Sequence, residues 1–159
     1  DLYDPSDPVL ARVKEVQAGS YALMDSHYGA LELPFVQALY VVGTVISVSD
    51  SWAVIDVGLK SLGMDHGNPT IEDASVWFCS DEHITFSMKD GRPLPVVGSR
   101  VLVRPAHIDP TIALHEVMYV VDQIPVIGVL SSETDKTGTG KTGTGGTVID
   151  TWPVNLRHW

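Results

Sequence analysis

Hydrophobic and polar positions change their rhythm once along the chain. Near the start, Val9, Leu10, Val13 and Val16 follow Asp7-Pro8 at helical spacing. This predicts a short amphipathic helix with Asp7 as its N-cap and Pro8 as its first residue. Glu15 to Met24 then reads as strand around a Gly19-Ser20 break. After Pro34 the chain turns to short β-branched and aromatic runs: Tyr40 to Val48, Trp52 to Val57, Ser75 to Cys79, His83 to Met88, Arg100 to Arg104 and Met118 to Val121. Turn-forming clusters separate them, at Ser49-Asp50-Ser51, Asp65-His66-Gly67-Asn68-Pro69, Asp90-Gly91-Arg92-Pro93 and Val97-Gly98-Ser99. Val126 to Leu130 and Thr147 to Val154 add further short strands. Repeated strands with little helical periodicity predict a mainly antiparallel β-barrel or sandwich. The boundary falls near residues 33–37, separating residues 1–34 from a β-domain over residues 35–159.

Composition narrows the choice of partners. The 159 residues are 44% hydrophobic and 19% charged, a balance that buries a core. Asp and Glu number 20 against 10 Lys and Arg, a formal net charge of −10. That excess argues against nucleic acid, whose phosphates need a basic face, and against an anionic membrane surface. The most apolar stretch, Leu33 to Val48, is broken by Gln37, Gly43, Thr44 and Ser47 and falls short of the ~20 residues of a membrane helix. Cys79, the one cysteine, sits in the apolar run Val76-Trp77-Phe78-Cys79 and is expected to be a buried, inert thiol. The opening Asp-Leu-Tyr-Asp-Pro has neither the basic start nor the apolar core of a secretory signal, so a cytoplasmic location is expected. Without an initiator Met, the chain is expected to be a piece of a longer polypeptide.

Thr134 to Thr147 is a low-complexity Gly/Thr/Lys segment, expected to be a flexible surface loop. Gly140-Lys141-Thr142 imitate a phosphate-binding loop, but Asp135 stands where its first glycine belongs. The segment also leads into the strand signal Val148-Ile149-Asp150 instead of a helix. Nucleotide binding is therefore not expected there.

The chemistry concentrates in Arg104-Pro105-Ala106-His107-Ile108-Asp109-Pro110-Thr111. A strand runs into a proline-bounded turn that presents His107 and Asp109 two residues apart. In extended geometry such residues point to one side, so an imidazole nitrogen and a carboxylate oxygen can converge on one cation. The pair suits a borderline divalent ion such as Mn²⁺ or Zn²⁺, with water completing the shell. By spacing alone, a satisfied surface His and Asp is the preferred reading. The neighbours shift that balance. Proline on both sides of the pair, after a strand, resembles the metal-binding segment of D-threonine aldolases and eukaryotic-type D-serine dehydratases. These are fold-type III, alanine racemase-like pyridoxal-phosphate enzymes. The dehydratase branch has Cys where this chain has Asp109; the aldolase branch has Asp.

Three further stretches resemble the same family. Glu15 to Tyr21, running on to Asp25, is similar to the family's closing barrel segment, which implies that Gly19, Ser20 and Tyr21 bind the cofactor phosphate through backbone amides. A glycine admits close approach, and successive N–H groups can form an anion nest. On its own Gly-Ser-Tyr reads as a plain turn. Asp56 to Gly63 is similar to the D-x-G-x-K stretch of the family's β-domain. Ser80-Asp81-Glu82-His83 is similar to a turn at its subunit interface, which implies that Asp81 can reach a partner's active site. The likeness covers most of residues 10–123 and Trp152-Pro153-Val154, and departs in the Gly/Thr-rich loop and at Arg157-His158.

The resemblance implies a C-terminal β-domain preceded by the last helix and strand of a (β/α)₈ barrel that binds pyridoxal 5'-phosphate. It implies cleavage of D-threonine and other β-hydroxy-D-amino acids to glycine and an aldehyde, with a divalent metal, Mn²⁺ first and Zn²⁺ or Mg²⁺ as options. A homodimer is expected on the same ground. The lysine that would carry the cofactor is absent: Lys14, Lys60, Lys89, Lys136 and Lys141 lie in no matching context, and Lys60 reads as a solvated or salt-bridged side chain. A whole barrel takes roughly 250 residues, so the barrel segment must come from elsewhere. His27, His66, His115 and His158 carry no family role. Two alternatives stand beside this reading: β-elimination of the D-serine dehydratase kind, and a non-catalytic β-barrel interaction module.

Overall fold

Strand alternation builds the core much as the pattern predicts. The computed structural model describes residues 6–9, 12, 15, 19–123 and 146–155. In it β1 (Val41–Val48), β2 (Ala53–Ile55), β3 (Thr70–Ile71), β4 (Ala74–Cys79), β5 (Ile84–Met88) and β6 (Arg100–Arg104) form one 6-stranded sheet in the order β3-β6-β1-β2-β5-β4. Every pairing is antiparallel. β3 and β4 occupy opposite edges of that order, yet only Glu72 and Asp73 separate them in the chain. The two edges therefore meet at this corner, and the sheet nearly closes on itself. Asp73 takes the positive φ that the corner requires (53°), and Arg92 donates to its carboxylate.

Inward positions fill the enclosed space. Val45, Ala53, Ile55, Ile84, Phe86, Val101 and Val103 are all essentially inaccessible and pack as one cluster with Leu62, Ile71 and Ala74. Gly43 lies on β1 where it faces β2, and a Cβ there would stand 3.0 Å from Ile55 Cδ1 and Val57 Cγ2. The closure thus leaves no room for a side chain at that point. Cys79 is half-buried, and burial pushes its thiol pKa up, consistent with an unreactive sulfur.

A second, 2-stranded ribbon pairs β7 (Val117–Val121) with β8 (Val148–Pro153). The predicted strand Val126 to Leu130 and the loop Thr134 to Thr147 fall almost entirely outside the described residues. So does most of the predicted helix after Pro8, although Asp7 Oδ1 does accept from Val9 N at 2.7 Å.

Two local expectations are corrected. The described part of Glu15 to Met24 holds no strand; Ser20–Ala22 is a turn of 3₁₀ helix, closed by Ala22 N donating to Gly19 O at 3.2 Å and Leu23 N to Ser20 O at 3.3 Å. That tighter winding carries Met24 and Asp25 into the interior, where both are buried. The chain after His107 is also not extended. It winds into α1 (Ile108–Ala113), so the same-side rule for a strand does not apply to Asp109. Among the described residues no helix is long and apolar enough to cross a membrane.

Candidate functional site

β6 delivers the chain into buried Pro105 and Ala106 and then to His107. His107 itself is extended (φ −141°, ψ 122°) and precedes α1, whose first turn holds Asp109. The junction of strand end and helix start aims the two side chains at each other. His107 Nε2 lies 3.4 Å from Asp109 Oδ2. Metal–ligand bonds of about 2.0–2.2 Å place neighbouring donors roughly 3.0 Å apart at an octahedral edge and roughly 3.4 Å at a tetrahedral one. The separation matches the tetrahedral spacing of two donors on one divalent ion. Asp109 is open to solvent, its side chain 73% exposed, while that of His107 is 21% exposed, so water and a small molecule can complete the shell.

The helix start needs a cap, and His107 supplies no side-chain bond to it. Asp25, fully buried, takes that task from 83 residues away: its Oδ2 accepts from Ile108 N at 3.1 Å and its Oδ1 from Tyr28 N at 2.9 Å. Ser26 N donates to Pro105 O at 2.9 Å. The segment after Gly19-Ser20-Tyr21 is thereby fastened to the loop that bears His107.

A third segment reaches the loop from the turn after β2. Gly63 pairs with His107 in an isolated β-bridge, and Gly63 N donates to Thr111 Oγ1 at 2.9 Å. That hydroxyl in turn donates to His107 O at 2.6 Å. A Cβ on Gly63 would collide with Pro110 Cγ and sit 2.9 Å from His107 O, so only glycine lets the two backbones meet. Just beyond it, Asp65 Oδ2 is 2.6 Å from His107 Nδ1, and this hydrogen bond holds the Asp65 carboxyl below its usual pKa. His66 lays its ring flat on His107, centroids 3.9 Å apart and planes within 5°, and His27 meets the far side of the row at 4.6 Å from His66. Asp65, His66 and His107 together form a group whose ligand-type atoms all lie within 4.8 Å of one another.

Sequence reasoning missed Asp65 and His66, which read as part of a glycine turn. The signal was nonetheless nearby: they follow the D-x-G-x-K stretch by two residues. His115 stands apart from the group, its Nε2 on Ser61 O at 2.9 Å.

The two other family-like stretches dock on each other. Leu59 N donates to Ser80 O at 2.9 Å and Lys60 N to Asp81 O at 3.1 Å, and Gly58 leaves no space for a Cβ against those carbonyls. Lys60 Nζ pairs with Glu82 Oε1 at 2.5 Å, both side chains exposed. The hydrogen bond from Lys60 lowers the Glu82 pKa and raises that of Lys60. Asp81 is exposed on this turn and is not a member of the group at His107.

Gly19 precedes the 3₁₀ turn, and the space where its Cβ would lie is empty to 4 Å. The backbone there is sterically open to a phosphate, as it also is at Gly29, Gly67, Gly91 and Gly98. Tyr21 packs its ring on Phe35 at 5.2 Å. A separate cleft of about 840 Å³ opens between the Met24 to Gln37 segment and Thr70, Glu72 and Arg104; there Arg104 is already paired with Glu72.

Residues 38–121 match the family described as "Putative serine dehydratase domain". Over 115 residues the chain is 37% identical to a D-threonine aldolase from Arthrobacter sp, a match covering 67% of this chain and 30% of that protein. It is 34% identical over 115 residues to a 3-hydroxy-D-aspartate aldolase from Paracoccus denitrificans, covering 64% and 29%. The crystal structure of D-threonine aldolase from Filomicrobium marinum superposes with a TM-score of 0.71 at 30% identity, covering 91% of this chain and 36% of that one. The chain thus spans about a third of the length of these relatives.

Proposed function

The chain belongs to the serine dehydratase domain family, and on that footing we propose that it is the metal-binding β-domain of a pyridoxal-phosphate-dependent lyase. The reaction is cleavage of D-threonine and other β-hydroxy-D-amino acids to glycine and an aldehyde. The observation that carries this reading is the 3.4 Å approach of His107 Nε2 to Asp109 Oδ2 at an open strand-to-helix junction. Two relatives whose names are those of aldolases of β-hydroxy-D-amino acids support the substrate class.

In this reading the cofactor supplies an electron sink for the carbanion left as Cα–Cβ breaks, and a divalent ion supplies Lewis-acid polarisation of the substrate hydroxyl. His107 and Asp109 hold that ion, Mn²⁺ in first place. Gly19, Ser20 and Tyr21 bind the cofactor phosphate through their backbone. Asp25 keeps these two stations at a fixed spacing, because its carboxylate bridges the segment after Tyr21 to Ile108 N. Asp81, exposed on its turn, acts across a subunit boundary. Residues 1–34 close the cofactor-binding barrel, residues 35–159 form the β-domain, and the protein works as a cytoplasmic homodimer.

The test is His107→Ala in the intact protein. Cleavage of D-threonine should fall by more than about 100-fold with Mn²⁺ present, beyond the 10–100-fold typical of an outer-shell change. Chelation of the unaltered protein should abolish cleavage and Mn²⁺ should restore it. Full activity of the variant without metal sinks the proposal. 2-Oxobutanoate and ammonia from D-threonine, in place of glycine and aldehyde, would instead identify a β-elimination enzyme.

A further inference from the structure

We propose that Asp65 is the positioning residue of the metal site: it fixes His107 as the Nδ1–H tautomer and so leaves Nε2, the nitrogen facing Asp109, as the ligand. This inference rests on the reading of His107 and Asp109 as metal ligands and adds two residues to it, Asp65 and His66. The first argument is chemical. An ionised carboxylate is an acceptor only, so the short contact between Asp65 Oδ2 and His107 Nδ1 places the proton on Nδ1. An imidazole that ligates a metal keeps a single N–H, so with Nδ1 donating to Asp65 the lone pair offered to the ion is that of Nε2. That nitrogen is the one 3.4 Å from Asp109 Oδ2.

The second argument is geometric and disposes of the competing arrangement, in which Asp65, His66 and His107 all bind one cation directly. The 2.6 Å between Asp65 Oδ2 and His107 Nδ1 is a hydrogen-bond distance, shorter than the roughly 3.0 Å between neighbouring donors on one ion. Imidazole lone pairs lie in the ring plane. His66 and His107 are stacked within 5° of parallel at 3.9 Å, so their lone pairs run in separate planes and do not converge. His66 is therefore a flat plate that prevents the His107 ring from rotating about its own bond, not a third ligand. Asp65 and His66 arrive together on the turn that Gly63 brings against His107. The carboxylate–histidine–metal arrangement is a general way to orient a ligand ring, and loss of the outer carboxylate typically costs 10–100-fold in metal affinity.

The experiment measures free Mn²⁺ by electron paramagnetic resonance during titration of the intact, metal-stripped protein, and the His107 tautomer by ¹⁵N NMR of histidine-labelled, metal-free protein at a pH high enough that the imidazole is neutral. Asp65→Ala should weaken Mn²⁺ binding about 10–100-fold and shift the His107 proton towards Nε2. Asp65→Asn, whose amide oxygen still accepts from Nδ1–H, should recover part of the affinity and most of the tautomer. His66→Ala should weaken binding less than Asp65→Ala does. Asp65→Ala with unchanged affinity and unchanged tautomer overturns the proposal. His66→Ala as damaging as His107→Ala also overturns it, in favour of three direct ligands. Retention of Mn²⁺ by His107→Ala is a different failure, that of the metal site itself.

Discussion

The barrel core and the loop at His107 are held in opposite ways. In the core, Val45, Ile55, Ile84, Phe86 and Val103 each touch several others, and their contacts are apolar and without direction. At the loop, position depends on single polar contacts that come from far along the chain: Asp65 at a separation of 42 residues, Gly63 to Thr111 at 48, and Asp25 to Ile108 at 83. The core is redundant, so one change costs stability and leaves the architecture. The loop is not redundant, so one change costs geometry with a smaller loss of stability. A side chain held at a fixed angle, as the His107 ring is here, needs the second kind of support built on the first.

The contrast can be broken at either end. The largest stability effect belongs to Phe86→Ala, whose ring on β5 is at 0% exposure. Chemical denaturation should register a loss of about 3–5 kcal/mol, while the folded fraction binds Mn²⁺ as the unaltered protein does. A large loss of affinity there would mean that core and loop are not separable. Asp25→Ala comes next. It strands Ile108 N and Tyr28 N, which calls for a loss of about 2–3 kcal/mol. Mn²⁺ binding should also weaken, although Asp25 touches neither proposed ligand side chain; normal affinity in a destabilised variant would show that Asp25 supports only the fold. The smallest effect is that of Lys60→Met, which removes an exposed ion pair remote from both. Its Tm should differ little from that of the unaltered protein at pH 7. The sign with pH is fixed by Glu82, whose pKa lies below its ordinary 4.5 because Lys60 donates to it. The pair's contribution is full above 4.5 and disappears as the pH falls through the lowered pKa, so the two melting curves should converge in acid. Divergence in acid would refute the assignment.

The strands were legible because their signal is local. Tyr40 to Val48, His83 to Met88 and Arg100 to Arg104 were readable from β-branched runs between turn residues, and their observed bounds differ by a residue or none. β3 escaped because Thr70-Ile71 is only two residues long and is a strand by virtue of its pairing with β6. The winding of α1 escaped for the same kind of reason: it is capped by Asp25 from outside its own segment, a partner that local sequence cannot choose. The turn at Ser20–Ala22 is held locally, by Leu23 N and Met24 N on Ser20 O, and the Gly19-Ser20 break marks its place in the sequence.

The sequence by itself determined the family, the mainly antiparallel β architecture, and the pairing of His107 with Asp109, because each depends on residue types within a short window. Tertiary structure alone decided how that pair is aimed. The two side chains converge across a strand-to-helix junction, not along a strand, and Asp25, Gly63, Asp65 and His66 reach it from distant segments. Spacing in sequence can say that two ligands could meet. Only the tertiary fold, which brings the turn after Gly63 against the end of β6, puts Asp65 Oδ2 on Nδ1 of His107 and leaves Nε2 facing Asp109.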